Sequence, residues 1–267
     1  IGEVGYNLKG IATVTRQKYL TASEKGPWAN SYDRWRNDNL TNRYQGVQFG
    51  YTSAGRYTSW NDIWNYYGFN ERDVLPGDYK YEDWNGDGEI NGQDEHPFAF
   101  DQTPWLQFSL NAGLQWKNFD FNMLLQGSAL GSMEYKEPLH EIWGKNGGGA
   151  LTQFLDRWHP VDPKADPYDP STVWTSGHYA YTGRWAKNNS AFNRVSTAYL
   201  RLKSIELGYT FPKLKQIPNA SLRVYANAYN LLTFTGVKFV DPEHPDDDLG
   251  RMYPLNKTYT LGVSLSF

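Results

Sequence analysis

TYTLGVSLSF, residues 258–267, alternates without interruption between apolar and small or polar side chains. The odd-numbered positions are apolar, and the even-numbered positions hold Thr, Gly or Ser. Because successive side chains of a β-strand point to opposite faces, the pattern predicts a strand with one apolar face and one small polar face. The sequence ends on the aromatic Phe267. A strand of a β-sandwich alternates in a similar way, so the choice between architectures depends on the other segments.

The same alternation recurs in long segments, each above the usual strand length of about 5 to 6 residues. These segments are residues 4–16, 106–116, 119–129, 199–211 and 222–229. Lys117 and Asn118 leave space only for a tight turn, which predicts a hairpin. The second face of the later segments carries Glu206, Arg223 and Asn227, and such a face fits a water-filled lumen better than a dry core.

The connections between these segments alternate in length. They are about 88, 2, 69, 10 and 25 residues long in chain order. Long loops on one side and short turns on the other are typical of bacterial outer-membrane barrels, whereas compact soluble domains seldom contain such loops. We therefore predict an all-β, antiparallel transmembrane β-barrel segment of six strands with long extracellular loops. Residues 1–267 form one such unit, located in the bacterial outer membrane.

The composition supports this class but does not select it alone. The 267 residues include 11 Trp, 20 Tyr and 13 Phe, and the mean hydropathy is −0.70. This mixture is too polar for a helical membrane protein but suits a barrel with aromatic girdles or a carbohydrate-binding β-sandwich. The net charge of −3 and the scattered Lys and Arg give no reason to expect nucleic acid as a partner.

Other sequence features limit the chemistry and the extent of the chain. The absence of Cys excludes disulfides and thiolate chemistry. The sequence has no run of about 18 apolar residues, so it predicts no transmembrane helix. The sequence starts without Met or a signal peptide and already has the pattern of a strand at residue 4, so we expect it to be the C-terminal part of a longer protein.

DWNGDGEINGQD, residues 83–94, has the spacing of an EF-hand calcium loop and lies in the first predicted extracellular loop. Gly88 occupies the position of the sharp turn. The candidate ligands are the side chains of Asp83, Asn85, Asp87 and Asp94 and the carbonyl of Glu89. The last ligand is Asp rather than Glu, and neither flank is an amphipathic helix, which indicates a weak Ca²⁺ site that holds a loop together. The alternative is an Asn/Asp/Gly-rich turn without an ion.

Several segments in order resemble the SusC/RagA family of TonB-dependent outer-membrane transporters. They are residues 76–91 (PGDYKYEDWNGDGEIN), 156–160 (DRWHP), 199–203 (YLRLK), 207–209 (LGY), 223–225 (RVY), 230–232 (NLL), 241–243 (DPE) and 259–267. The resemblance implies that the chain is the last six strands of a 22-stranded barrel, which encloses a plug. It also implies a SusD-type surface lipoprotein as a lid, energy from TonB through the plug, and import of oligosaccharides or, in some members, peptides.

Six strands cannot close a barrel, so the sequence requires the rest of the barrel and the plug, as well as outer-membrane lipid, as partners. The first loop also contains candidate substrate contacts, because sugar rings stack on aromatic faces. These candidates are Trp60, Trp64, Tyr66 and Tyr67. Trp60 and Trp64 share a face if the segment is helical. The alternative is that the loop folds on its own aromatic cluster.

No catalytic constellation is evident in the sequence, and we expect a transporter rather than an enzyme. Glu134, Glu137 and Glu141 do not define an acid/base pair, although a glycoside hydrolase with two such carboxylates is not excluded by the sequence. The main alternative is a secreted carbohydrate-binding β-sandwich with a dockerin-like calcium loop. A dockerin would bring two such loops with helices, whereas this sequence contains one.

Overall fold

The computed structural model describes residues 4–23, 26–36, 40–66, 74–136, 139–140, 151–182, 189–211, 220–244 and 251–266. The helices are α1 (Ser31–Arg36) and α2 (Trp60–Asn65), with 3₁₀ helices at Gly92–Asp94 and Thr152–Leu155. The strands are β1 (Val4–Val14), β2 (Val47–Gly50), β3 (Ser53–Arg56), β4 (Tyr79–Tyr81), β5 (His96–Phe100), β6 (Leu106–Trp116), β7 (Phe119–Ala129), β8 (Ser132–Glu134), β9 (His159–Pro160), β10 (Trp174–Thr175), β11 (Arg194–Ser196), β12 (Tyr199–Phe211), β13 (Ser221–Thr235) and β14 (Thr258–Ser266).

Six long strands form one antiparallel sheet in the order β1-β6-β7-β12-β13-β14. Each strand therefore pairs with its neighbour among the long strands of the chain, as predicted. The bounds of β6, β7 and β12 agree with the sequence pattern, whereas β1 ends at Val14, two residues earlier than residues 4–16 indicated. Phe267 lies outside the described residues. The all-β, antiparallel fold class is confirmed.

The register places like residues side by side across all six strands. One such row is Tyr6, Leu114, Phe121, Leu207, Ala226 and Leu261. The next row is Gly5, Gln115, Asp120, Gly208, Tyr225 and Gly262. Since neighbouring rows point to opposite sides, the sheet has a continuous apolar face and a continuous polar face. Tyr6 is 77% exposed and Leu261 85% exposed, so no described part of this chain covers the apolar face.

A β-bulge at Lys203 keeps the two faces continuous. The register of β12 shifts between Leu202 and Ser204 against both of its neighbours. Before the bulge the odd-numbered Arg201 lies on the polar face, and after it the even-numbered Glu206 does so. Without the extra residue the strand would turn its apolar side chains to the polar face, because a one-residue slip inverts a strand.

The two longest connections fold together into one structure, which we name the loop body and define as the described residues of 15–105 and 130–198. Short two-stranded sheets pair β2 with β5, β3 with β4, β8 with β11 and β9 with β10. The backbone N–H of Tyr51 donates to the Asn189 carbonyl at 3.1 Å, and that of Asn189 donates to Glu134 Oε1 at 3.0 Å. The first of these hydrogen bonds joins the first connection to the second, and the other holds Asn189 against β8 within the second.

The loop body has aromatic cores of its own. Tyr51, Tyr81 and Ile90 are buried together, and Tyr79 and Phe192 pack against them. A second core pairs Phe154 with Tyr179. Burial raises the pKa of Tyr179 to about 12. No helix among the described residues is long and apolar enough to cross a membrane.

Candidate functional site

The polar face of the sheet carries an ion cluster toward the end with the short turn. Arg223 Nε donates to Asp120 Oδ2 at 3.0 Å, and its Nη2 donates to Glu206 Oε1 at 2.7 Å. Gly208 leaves the space for this cluster, because a Cβ atom there would lie 2.4 Å from both Arg223 Nη2 and Asp120 Oδ2. One guanidinium thus binds two carboxylates. These ion pairs lie on the face that the sequence predicted to be polar at Glu206 and Arg223.

A second cluster closes the opposite end of the polar face. Arg201 is 1% exposed and binds Asp241 at 2.5 Å and Glu243, both in the connection after β13. Its Nε also donates to Thr233 Oγ1 at 3.0 Å. A buried guanidinium requires such partners, because an unpaired buried charge is costly. The connection after β13 is therefore held against the sheet.

We name the cluster of Arg201, Asp241 and Glu243 the Arg201 clamp. A cavity of about 690 Å³ opens on the polar face beside this clamp. Amide, hydroxyl and phenol groups dominate its lining: Gln107, Ser109, Gln126, Ser128, Thr197 and Tyr199. Its volume lies within the range of about 300–1,000 Å³ typical of ligand pockets. The cavity is therefore large enough for a small ligand, and its hydrogen-bonding groups favour a polar one.

The predicted aromatic contacts separate into inward and outward groups. Trp64 is 64% exposed, and its ring lies 6.0 Å from that of Trp60 on α2, so the two indoles share a face as the spacing predicted. Tyr66 instead donates from its hydroxyl to the Tyr81 carbonyl at 2.6 Å and packs under Lys80. Burial raises the pKa of Tyr66. Tyr67 lies outside the described residues.

The predicted calcium loop is closed by its own carboxylates. Asp83 accepts hydrogen bonds from the backbone N–H groups of Gly86, Asp87 and Gly88, at 2.8, 3.2 and 2.8 Å. Asp94, which is fully buried, accepts from the N–H groups of Trp84, Asn85 and Asn91, at 2.9, 3.3 and 2.8 Å. The first and last candidate ligands thus bring both ends of the loop together.

The donor types in this loop fit Ca²⁺, which prefers oxygen ligands. Each carboxylate has about four lone-pair sites, so three N–H partners leave Asp83 and Asp94 with acceptor capacity. Asp87 accepts from the Glu89 N–H at 2.9 Å and Asn85 accepts from the Asp87 N–H at 2.9 Å. Among the described residues, however, no three His, Cys, Asp or Glu side chains are grouped so that they could hold a metal ion.

Helix α1 packs against the end of the predicted calcium loop, a contact that the sequence did not reveal. Arg36 donates to the Gly92 carbonyl at 2.7 Å, and Tyr32 donates to the Gln93 carbonyl at 2.9 Å. Burial, followed by the charge of Asp94, raises the pKa of Tyr32. Trp35 and His96 stack on Trp84, the second residue of the loop, with ring centroids 6.4 and 3.7 Å away. The loop therefore connects α1 to β5.

The chain is similar in sequence to three TonB-dependent receptors. The chain is 28% identical to TonB-dependent receptor P3 and 27% identical to TonB-dependent receptor P26, both of Formosa agariphila, over 73% and 84% of its length. It is 26% identical over 78% of its length to TonB-dependent receptor SusC of Bacteroides thetaiotaomicron. The chain resembles SusC-type TonB-dependent transporters.

Solved structures agree on the fold. The chain matches the RagAB peptide importer in its 'closed-closed' state with a TM-score of 0.59 and in its 'open-open' state with 0.57, at 17% identity and with all of the chain covered. It spans 28% and 27% of those chains, and about a fifth of the curated relatives, at 19%, 22% and 19%. No family model matches the chain.

Proposed function

We propose that this chain forms part of the barrel wall of a SusC-type TonB-dependent importer in the bacterial outer membrane. The observation that carries the proposal is the six-stranded sheet with one exposed apolar face and one face of charges, amides and hydroxyls. In a transmembrane barrel the first face contacts lipid and the second lines the lumen. The similarity to TonB-dependent receptors, which are named as receptors rather than enzymes, supports this reading.

The proposal includes the partners that such a wall requires. Strands β1 and β14 are the sheet edges, and the remaining barrel strands would pair with them. A plug inside the barrel would face the Asp120, Glu206 and Arg223 cluster and would receive energy from TonB. A SusD-type surface lipoprotein would cover the loop body, since the loop body stands at the end of the sheet with the long connections.

The proposed substrate class is oligosaccharides. The exposed indole of Trp64 beside Trp60 supports this class, because pyranose rings pack on aromatic faces, and the lining of the 690 Å³ cavity offers neutral hydrogen-bonding groups. RagAB is described as a peptide importer, which makes peptides the second substrate class to test.

An uptake assay tests the proposal. Cells that produce the full-length protein should accumulate a fluorescent oligosaccharide only while TonB is present, and a labelled peptide should not accumulate. Accumulation of the peptide alone would contradict oligosaccharides as the substrate class and favour peptides. Recovery of the protein in a soluble fraction without detergent would contradict the barrel and favour the secreted carbohydrate-binding β-sandwich.

We also propose that residues 83–94 bind Ca²⁺ through Asp83, Asn85, Asp87, Glu89 and Asp94. The bound ion would strengthen the closure of a loop that already joins α1 to β5. A weak site suffices outside the cell, where affinities of about 10⁻⁴ to 10⁻³ M are usual for such modules. The role we propose is structural, because Asp83 and Asp94 already use backbone hydrogen bonds to close the loop.

Calcium titration of the full-length protein tests this site. Saturating Ca²⁺ should raise the unfolding temperature of the loop body, and Asp87→Ala should abolish the increase, because Asp87 is an exposed candidate ligand outside the loop closure. Asp169→Ala, in an exposed turn of the same loop body, is the control and should retain the increase. An equal increase in wild type and D87A would contradict the proposal.

A further inference from the structure

The loop body contains a second cavity, of about 240 Å³, away from the polar face of the sheet. It lies where α2, the segment before β4 and the region around β9 and β10 meet. Its lining includes Ser59, Trp60, Trp158, Thr172, Trp174 and Ser176. Its volume is just below the range of about 300–1,000 Å³ that suits drug-sized ligands. The cavity therefore fits an occupant of about one ring.

The walls of this cavity have an unusual composition. Three indoles and several hydroxyls line it, together with prolines, and none of the described lining residues is charged or is Leu, Ile or Val. A charged peptide side chain would find no counter-ion among these residues, and an aliphatic side chain would pack on the indoles but leave the hydroxyls without a partner. A neutral ligand with alternating apolar and hydroxyl surfaces, such as a pyranose, matches both kinds of wall.

The indoles are held before any ligand arrives. The backbone N–H of Trp158 donates to the Tyr179 carbonyl at 2.8 Å. Gly77 has a φ of +94°, and a Cβ atom there would lie 2.4 Å from Trp158 Cβ, so the glycine allows the indole to sit close to the backbone. Trp174 pairs with Pro160 in the β9 and β10 ladder, and its ring meets Tyr181 edge-to-face at 5.4 Å. Such preorganisation lowers the cost of binding.

Two of these indoles also have an unused hydrogen-bond donor. The Nε1 atoms of Trp60 and Trp174 are shielded from solvent and have no acceptor among the described residues. A shielded donor without a partner costs about 1–3 kcal/mol. Since both indoles line the cavity, a small rotation of either ring would present its donor to an acceptor supplied by a ligand and recover part of that cost. The hydroxyl and ring oxygens of a sugar are acceptors of this kind.

We propose that this cavity binds one pyranose ring of an oligosaccharide at the outer surface. The inference rests on the proposed oligosaccharide import and deepens it by naming a sugar subsite outside the channel face. Trp64 and Tyr168, 64% and 54% exposed, both lie beside Trp60, with ring centroids 6.0 and 6.5 Å away. These two rings extend the subsite toward a second sugar unit.

Calorimetric titration of the full-length protein with a panel of neutral oligosaccharides and one of neutral peptides tests the subsite. Trp174→Phe retains an aromatic ring and removes the donor, and we expect about tenfold weaker binding of the bound oligosaccharide, which corresponds to about 1.4 kcal/mol. Trp60→Phe should weaken it similarly. Trp116→Phe, on β6 at the short turn, should bind as wild type does, and unchanged unfolding temperatures show that the variants are folded.

The outcomes separate this inference from the import proposal. If oligosaccharides bind and enter cells but W174F and W60F bind as tightly as wild type, the subsite is wrong and import stands. If W174F weakens binding but no oligosaccharide enters cells, import is wrong and the subsite stands. If the protein binds no oligosaccharide, or if W174F weakens only peptide binding, the sugar subsite is overturned.

Discussion

The apolar side chains of the loop body are buried within it, whereas those of the sheet are exposed. In the loop body, Phe154 is 2% exposed and Leu75 is also 2% exposed, so that part of the chain buries its own core. In the sheet, Tyr6, Tyr259 and Leu261 are 77%, 68% and 85% exposed, although backbone hydrogen bonds join every strand to its neighbours. The sheet therefore lacks the apolar environment that would stabilise it, and the loop body supplies its own.

This difference indicates what each region needs in order to be stable. Burial of apolar surface contributes about 25 cal/mol per Å², so the loop body gains free energy from its own residues. The apolar face of the sheet can gain this free energy only from another phase or another chain. The comparison predicts that substitutions in the loop body change its stability in any solvent, whereas those on the apolar face act through the membrane.

The largest effect is expected for Phe154→Ala. Truncation of a fully buried Phe costs about 3–5 kcal/mol through lost burial and the cavity left behind. Phe154 packs edge-to-face on Tyr179 with a centroid distance of 4.5 Å. Limited proteolysis of the full-length protein should cleave the loop body of F154A much faster. Leu155→Ala, at a residue 82% exposed, is the control, and equal cleavage of both variants would disprove an independent core.

On the sheet, Ile205→Arg should destabilise the folded protein in lipid by about 2–4 kcal/mol, the cost of a cation near the bilayer midplane on a lipid-facing strand. Ser204→Arg places the same charge on the polar face of the same strand and should cost much less. The measurement is the urea-dependent folding of the full-length protein into vesicles. Equal costs for I205R and S204R would mean that the two faces do not differ in their surroundings.

The loop body should also lose stability in acid through His140. Burial lowers the pKa of this imidazole from 6.5 to about 4. Since the unfolded chain takes up the proton near pH 6.5 and the folded chain only near pH 4, stability falls as the pH decreases through that window. Between pH 7 and pH 5 the loss is about 2 kcal/mol, measured by chemical unfolding of the loop body.

The imidazole itself can be tested with a matched pair of variants. His140→Gln should remove most of this acid sensitivity, whereas His159→Gln, at an exposed position of the same loop body, should retain it. If H140Q loses as much stability as wild type between pH 7 and pH 5, the acid sensitivity arises elsewhere.

The smallest effect concerns two glycines with positive φ in the loop body. Gly77→Ala introduces both backbone strain and an overlap with Trp158, whereas Gly55→Ala introduces only the strain, because nothing lies within 4 Å of a Cβ atom there. The difference between the two variants in the free energy of unfolding should be about 1 kcal/mol, the lower end for overpacking. No difference would show that Trp158 shifts away without cost.

Much of the sheet could be predicted from the sequence, because a period of two is a local signal that each strand carries by itself. The bulge at Lys203 could not be predicted in this way, since it interrupts the alternation for a single residue. The Arg201 clamp also could not be predicted from this signal, although residues 199–203 and 241–243 are each a motif of the family resemblance. Their pairing joins residues 40 and 42 positions apart in sequence, which no local pattern encodes.

The loop body was less predictable for the same reason. Alternating patterns do not extend into it, and a 3₁₀ helix forms at Thr152–Leu155 although Leu151, Phe154, Leu155 and Trp158 have the spacing of one face of an α-helix. The spacing of residues 83–94 predicts Asp83 and Asp94 as the first and last Ca²⁺ ligands, which stays a prediction, while the packing of α1 on that loop depends on distant residues. The cavity between Trp60, Trp158 and Trp174 likewise requires three separate segments to meet.

Site-directed spin labelling along β14 tests the central claim most directly. Residues 1–267 contain no Cys, so single cysteines can be introduced at each position from 259 to 265, with any cysteine elsewhere in the full-length protein replaced by Ser before it is placed in vesicles. Labels at Tyr259, Leu261, Val263 and Leu265 should collide mainly with lipid-soluble oxygen, and those at Thr260, Gly262 and Ser264 mainly with a water-soluble nickel reagent. Accessibility that does not alternate with a period of two, or that favours water at Leu261, would contradict the account.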